Sequence, residues 1–416
     1  MTPIPREAAF DSTLALLRAP YDFIAERARA HQSDVFEARI LLRRTLCLVG
    51  PEAAALFYDP DRFRRAGAMP ARLQLTLVGR GGVQTLDGDA HRARKAMLLA
   101  LFTPARVAEL VKAARDEWRR AVPQWSARGR VSLYEESQLV LTRAVCAWAG
   151  VPLEPHEAPR RRSQLVALFD AAGAVGPRHW RSRLARWQAN RWIAGVVADV
   201  RAGRLAPPEE SAASVVARHR EHGALLPRRT VAVELLNVLR PTVAVSVWIV
   251  FLAHALHTQP RWRERLAQGD EEDARCFAEE VRRYYPFFPA VPARVRGDFA
   301  WRGYAFRGGT RALLDLHGTS RDERSWKEPE LFRPERFRGR APGPFDSIPQ
   351  GGGDAHDGHR CAGEGVTLAL MRAALGWLVR DTVYRVPTQD LRVDRTRVPA
   401  LPRSGLLVES LRLRAR

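Results

Sequence analysis

Cys361 is the residue best equipped for chemistry, and it lies in the segment Ile348-Pro-Gln-Gly-Gly-Gly-Asp-Ala-His-Asp-Gly-His-Arg-Cys-Ala-Gly-Glu-Gly365. A glycine-rich loop there delivers the thiol to the start of an apolar helical pattern. Unpaired backbone N–H groups and the positive dipole end of a helix N-terminus stabilise a thiolate, which makes it a good metal ligand. Gly351, Gly352, Gly353, Gly358 and Gly363 let the backbone approach a flat group closely. On the residues alone two other readings stay open: a buried structural cysteine, and a zinc site built from His356, His359 and Cys361.

A second position is Arg240, in the run Asn237-Val-Leu-Arg240-Pro241-Thr242 of an otherwise apolar helical pattern. A buried, unpaired guanidinium costs several kcal/mol, so this one needs an anion, and its planar fork suits a carboxylate. An internal salt bridge is one possible answer. The nearest acid on the same helix, Glu234, is six positions away and beyond one turn. Elsewhere Glu280 and Arg283 share a helix face at i, i+3, and Arg336 follows in Phe332-Arg-Pro-Glu-Arg-Phe337. Glu279 and Arg282 have the same spacing.

The elements that must position these residues are mainly helical. Apolar residues recur at three and four positions in Arg106–Val122, Tyr134–Ala149, Trp187–Ala202, Thr230–His257, Glu271–Tyr285 and Val366–Arg380. Pro241 sits mid-helix, where it deletes a hydrogen bond to the Asn237 carbonyl and predicts a kink beside a cavity. Val35–Leu42, Ala300–Phe306 and Ala312–Leu316 read as strands of small peripheral sheets. The candidate hinges, 206–210 and 342–345, are too short to divide the chain, which predicts one domain over 1–416.

Composition narrows the class. With 46% hydrophobic and 27% charged residues the 416-residue chain has ample core material. The net charge of +21 invites a nucleic-acid reading, but the cations are spread along the whole length with no basic block, which argues against one. Cys47, Cys146, Cys276 and Cys361 form no CxxC pair, and the N-terminus lacks an export-signal pattern, so a cytoplasmic protein is expected. The most apolar stretch, Pro241–Ala253, is shorter than a membrane span needs and predicts a buried helix.

Gly358, His359, Cys361 and Gly363 resemble the heme-binding loop of the cytochromes P450. The resemblance implies the cytochrome P450 fold, a large helical domain with small peripheral β-sheets. It also implies heme b (iron-protoporphyrin IX), with Cys361 as the metal ligand. Asp354 stands where the family usually has phenylalanine, within a longer Gln-Gly-Gly-Gly-Asp loop that is similar to the fatty-acid peroxygenase branch. Pro286, three residues after Arg283, matches the family's placement and selects Glu280, Arg283 and Arg336 as the network supporting the heme loop. Arg65, His91, Lys95 and His359 stand where the family holds the heme propionates, with Arg294 a further candidate.

Arg240-Pro241 resembles the signature of the same branch, in place of the acid-alcohol pair of reductase-dependent relatives. The resemblance implies hydroxylation of a long-chain fatty acid by hydrogen peroxide at the α and/or β carbon, with no redox partner. Arg240 would hold the substrate carboxylate, which would move the protons of peroxide. Gln84 occupies the position at which hydroxylating relatives tend to have glutamine and decarboxylating ones histidine. Val78, where relatives commonly carry an aromatic residue, would shape the substrate pocket. The alternatives are a decarboxylase giving terminal alkenes, a reductase-dependent monooxygenase, and a non-catalytic heme or fatty-acid binder.

Overall fold

The apolar helical patterns fold into a body of helices named here α1 (Gly88–Ala100), α2 (Pro104–Arg128), α3 (Leu133–Ala149), α4 (Ala158–Ala167), α5 (Pro177–Arg201), α6 (Arg228–Thr258), α7 (Glu271–Tyr284) and α8 (Glu364–Gly376). The structure is a computed structural model that describes residues 2–170, 174 and 176–414. Helix α2 starts where the Thr103 hydroxyl accepts from the Arg106 N–H and Pro104 fills the first turn. Asp270 caps α7 through the N–H groups of Glu272 and Asp273.

Helix α6 is the axis of the body. Helices α3, α5 and α8 pack against it, and its apolar surface joins theirs in the largest core cluster. It is long and apolar enough to cross a membrane, longer than Pro241–Ala253 alone suggests, yet 94% of its most apolar window is buried inside the protein. The chain is helical on both sides of Pro241, so the proline leaves the Asn237 carbonyl without its ladder donor inside a continuous element.

A five-stranded sheet flanks the helices. Its strands are β1 (Val35–Ile40), β2 (Arg43–Leu48), β3 (Phe63–Arg64), β4 (Ala290–Val295) and β5 (Arg311–Asp315), in the order β1-β2-β5-β4-β3. Strand β5 runs parallel to β2 and antiparallel to β4. Three expected boundaries differ. Val35–Leu42 ends at Ile40, because Leu41 and Leu42 turn the chain at positive φ into β2, whose first residues are exposed arginines. Ala300–Phe306 is a hairpin of Phe299–Trp301 and Tyr304–Phe306 around Arg302-Gly303. Val366–Arg380 is α8 followed by a π-helical turn over Trp377–Asp381.

Helix α7 braces the segment that precedes Cys361. The Glu280 and Arg283 side chains are fully buried and paired at 2.7 Å. Glu280 also accepts from the Arg333 N–H at 2.7 Å and lies 3.3 Å from Arg336 Nε. Arg283 donates to the Pro329 carbonyl at 3.0 Å. Removing one member of such a cluster leaves the other charge uncompensated. Glu280→Gln is therefore expected to lower unfolding stability by about 3 kcal/mol or more, read by denaturant titration; an unchanged midpoint would contradict this role.

Candidate active site

The Cys361 loop is tied at both ends. The Cys361 N–H donates to the Gln350 carbonyl at 3.0 Å, and Gln350 Nε2 donates to Thr367 Oγ1 at 3.0 Å while lying 3.8 Å from Cys361 Sγ. Glu364, the first residue of α8, receives Arg282 and, at 2.5 Å, Arg360 Nε. Arg282 also pairs with Glu279 at 2.7 Å, so both Glu-x-x-Arg pairs of α7 form and only the second reaches the Cys361 helix directly. Gly351 sits at φ +96°, and a Cβ there would lie 3.0 Å from Tyr58 Oη. A Cβ on Gly358 would come within 2.7 Å of the Asp354 carbonyl oxygen.

Burial pushes the Cys361 thiol up from its ordinary value, and the Gly363 N–H opposes this only in part. Desolvation thus outweighs the expected helix-terminus effect. Coordination to a metal ion would deprotonate the thiol outright. His356 is exposed and away from Cys361 and His359 in role: among the described residues no three histidine, cysteine or carboxylate side chains converge to hold a metal, which removes the zinc reading.

Arg65, His91, Lys95 and His359 gather beside this loop. Lys95, on α1, is buried and donates to the carbonyls of Gly358 and Arg360, the latter at 2.8 Å. Arg65 is buried over the Phe57 ring at 4.2 Å and is 3.4 Å from the Pro292 carbonyl. His91 and His359 stack with centroids 4.0 Å apart. Burial depresses the basicity of all four, with His91 pushed down to about 3. The nearby acid is Asp87, which accepts from the N–H groups of Arg65 and Ala66 at 2.8 Å and lies 3.6 Å from His359 Nε2. Burial works against its ionisation, but those donors and His359 hold its carboxyl well below the usual range. Arg294 instead engages the Gly67 and Gly309 carbonyls at 2.7 and 3.0 Å.

Arg240 projects from α6 and is buried. It donates to the Leu77 carbonyl and lies 3.4 Å from Asn237 Oδ1, with no carboxylate partner among the described residues. Burial, with Arg186 second, pushes its guanidinium down to about 9. The internal salt bridge does not form because Glu234 is committed elsewhere. Its carboxylate takes Arg94 at 2.6 Å, the Val83 N–H at 2.8 Å and Asn237 Nδ2 at 3.2 Å. Gln84, in a 3-10 turn over Val83–Thr85, accepts from Asn237 Nδ2 at 3.2 Å and so reaches Arg240 only through that amide. Val78 is buried at the end of a π-helical turn, Gln74–Val78, which also carries the Leu77 carbonyl. Sequence reasoning passed over Arg94, Arg186 and the side chain of Asn237. Arg186 is one of many arginines on α5, and nothing in that pattern marks it as buried.

A cytochrome P450 family model matches residues 275–404. Among curated relatives, cytochrome P450 71D18 of Mentha gracilis is 30% identical over 133 residues, 30% of this chain and 26% of its own length. Psoralen synthase of Pastinaca sativa is 41% identical over 59 residues, 14% of this chain and 12% of its own. The chain thus spans about a quarter or less of these relatives. The solved structures match over their whole length. Cytochrome P450SP alpha (CYP152B1) in complex with (R)-ibuprophen is 50% identical, with a TM-score of 0.95 covering 97% of this chain and 99% of that one. Cytochrome P450EX alpha (CYP152N1) with myristic acid is 43% identical at a TM-score of 0.96, covering both chains fully. A variant of cytochrome P450 OleT in complex with arachidonic acid is 32% identical at 0.96, again with full coverage. The chain belongs to the cytochrome P450 family.

The donor set fits a P450 heme. Cys361 would supply the sulfur ligand, the glycines at 351 and 358 leave no room for a side chain, and buried Arg65 and Lys95 have no carboxylate partner among the described residues. Cys361→Ala is expected to abolish the thiolate-type absorption of the reduced carbon monoxide complex. Lys95→Ala is expected to weaken heme retention about tenfold, measured by transfer to apomyoglobin; retention equal to the unaltered protein would remove Lys95 from the site.

Proposed function

We propose that this P450 is a hydrogen peroxide-dependent hydroxylase of long-chain fatty acids, acting at the α and/or β carbon. The observation that carries this reading is the buried Arg240 guanidinium without a protein carboxylate. An incoming fatty-acid carboxylate would supply the missing anion through a charge-assisted, forked pair of hydrogen bonds. The neighbours with myristic and arachidonic acid support the substrate class.

Heme b, when bound with Cys361 as its thiolate ligand, would supply the oxidising chemistry that consumes hydrogen peroxide, so that R–H and H₂O₂ give R–OH and H₂O. The residues of this chain bind and orient. Arg240 fixes the headgroup, which holds the α and β carbons next to the cofactor by the shortness of the tether. The carboxylate held by Arg240 would accept and return a proton of hydrogen peroxide, standing in for a proton relay that α6 does not carry. Pro241 leaves the Asn237 carbonyl short of its helical donor, and the Asn237 amide links Gln84 to Glu234. Gln84 is a neutral amide that cannot serve as a proton donor near neutral pH in the manner of histidine, which favours hydroxylation over decarboxylation. Val78 leaves more room at its turn than an aromatic side chain would. Arg65, His91, Lys95 and His359 would hold the propionates.

This reading needs no redox partner and no nucleic acid. All four cysteines are free, which fits a reducing cytoplasm.

Incubation of the heme-loaded enzyme with myristic acid and hydrogen peroxide is expected to give 2- or 3-hydroxymyristate, identified by mass spectrometry. Arg240→Ala should lower that turnover at least a hundredfold, and a short carboxylic acid added to it should restore part of the rate. Full peroxide-driven activity in Arg240→Ala would overturn the reading, and a terminal alkene as the main product would assign the decarboxylase instead.

A further inference from the structure

Arg186, on α5, is a second buried guanidinium in the same place. Only 3% of the residue is exposed, and Nε and Nη2 have no hydrogen-bond partner among the described residues. Its Nη1 lies 3.4 Å from the carbonyl oxygens of both Thr76 and Leu77. The Leu77 carbonyl is also the acceptor for Arg240, so two like charges from different helices converge on one oxygen. Gly79 makes room for this: at φ +82°, a Cβ there would lie 2.0 Å from Arg186 Nη2.

The charges around these groups do not balance. Arg94 pairs with Glu234 at 2.6 Å and with Glu221 at 2.7 Å, which leaves neither carboxylate paired with Arg186 or Arg240. Burial pushes Arg186 down to about 10, opposed only by Glu234. Three guanidinium groups face two carboxylates, and one further carboxylate would neutralise the cluster. A desolvated cation of this kind is stable only if an anion reaches it.

We propose that Arg186 is a second carboxylate-binding residue, forming with Arg240 a paired-guanidinium receptor for the headgroup of the substrate. The inference rests on the fatty-acid reading given above and assigns the receptor a residue outside α6. Arg186 contributes the charge that draws the headgroup to the Leu77 turn, and Arg240 holds it beside the cofactor. Its removal therefore acts on affinity for acids and spares ligands of the same length that carry no charge.

The test compares myristate with 1-tetradecanol, each titrated calorimetrically into the heme-loaded protein. In Arg186→Gln the Kd for myristate is expected to rise about tenfold while that for the alcohol stays within about twofold, and Arg186→Lys should recover most of the loss. Arg186→Met needs no hydrogen-bond partner and gives the same reading if the buried amide does not fold. Equal losses for acid and alcohol would make Arg186 a purely structural residue and overturn the inference. So would an unchanged myristate Kd, and if Arg240→Gln still lost acid binding, the fatty-acid reading would stand without Arg186. Absence of any acid preference in the unaltered protein would overturn both.

Discussion

A guanidinium held in an apolar interior without a carboxylate is the constraint around which the distal side of this molecule is arranged. Arg240 lies on α6, most of whose residues are buried, and is itself buried. Neutral acceptors are all the chain provides: the Leu77 carbonyl and, more distantly, Asn237 Oδ1. Carbonyl dipoles satisfy hydrogen bonds but do not cancel a unit charge in a medium of low polarisability. Every nearby acid is diverted. Glu234 is one turn too far along the helix to meet Arg240, and Arg94 together with the Val83 N–H turns it toward α1.

The proximal side solves the opposite problem with the same residue types. Arg283 and Arg282 are as buried as Arg240, yet each has its glutamate one turn away on α7. Glu280 and Arg283 clamp the segment through Arg333 and Arg336, while Glu279 and Arg282 reach Glu364 at the start of α8. Both clusters therefore brace the loop that carries Cys361, whose thiol would be the ligand of a metal ion. Glutamate-paired arginines brace the cofactor loop, and unpaired charge on the other side gives recognition.

Much of this could be read from the chain itself. Cys361 with its glycines, the Glu280 and Arg283 spacing and the isolated Arg240 each carry a local signature, because the relevant partner lies within one loop or one helical turn. The long helices were also legible, since apolar residues at three and four positions report directly on a buried face. What escaped depended on contacts between elements. Helix α1 is polar along much of its length, and only the packed structure reveals that Arg94 and Lys95 point inward to Glu234 and to the Cys361 loop. Gln84 could be placed near the site but not given its partner, Asn237, since they are 153 positions apart. The basicity of His91 follows from desolvation, and burial of a polar residue is what sequence periodicity reports least well.

The difference between the two sides has a simple origin in helix geometry. An acid three or four residues from an arginine neutralises it, as Glu279 and Glu280 do for Arg282 and Arg283. Three residues either side of Arg240 the corresponding positions are Asn237, a neutral amide 3.4 Å from it, and Val243, which is buried and apolar. A carboxylate at either would close the pair from within and leave no charge to attract a headgroup. Residues that carry no negative charge at these two places keep Arg240 available, and Glu234 is held instead by Arg94. Recognition of an acid here depends as much on where glutamate is withheld as on where arginine is placed.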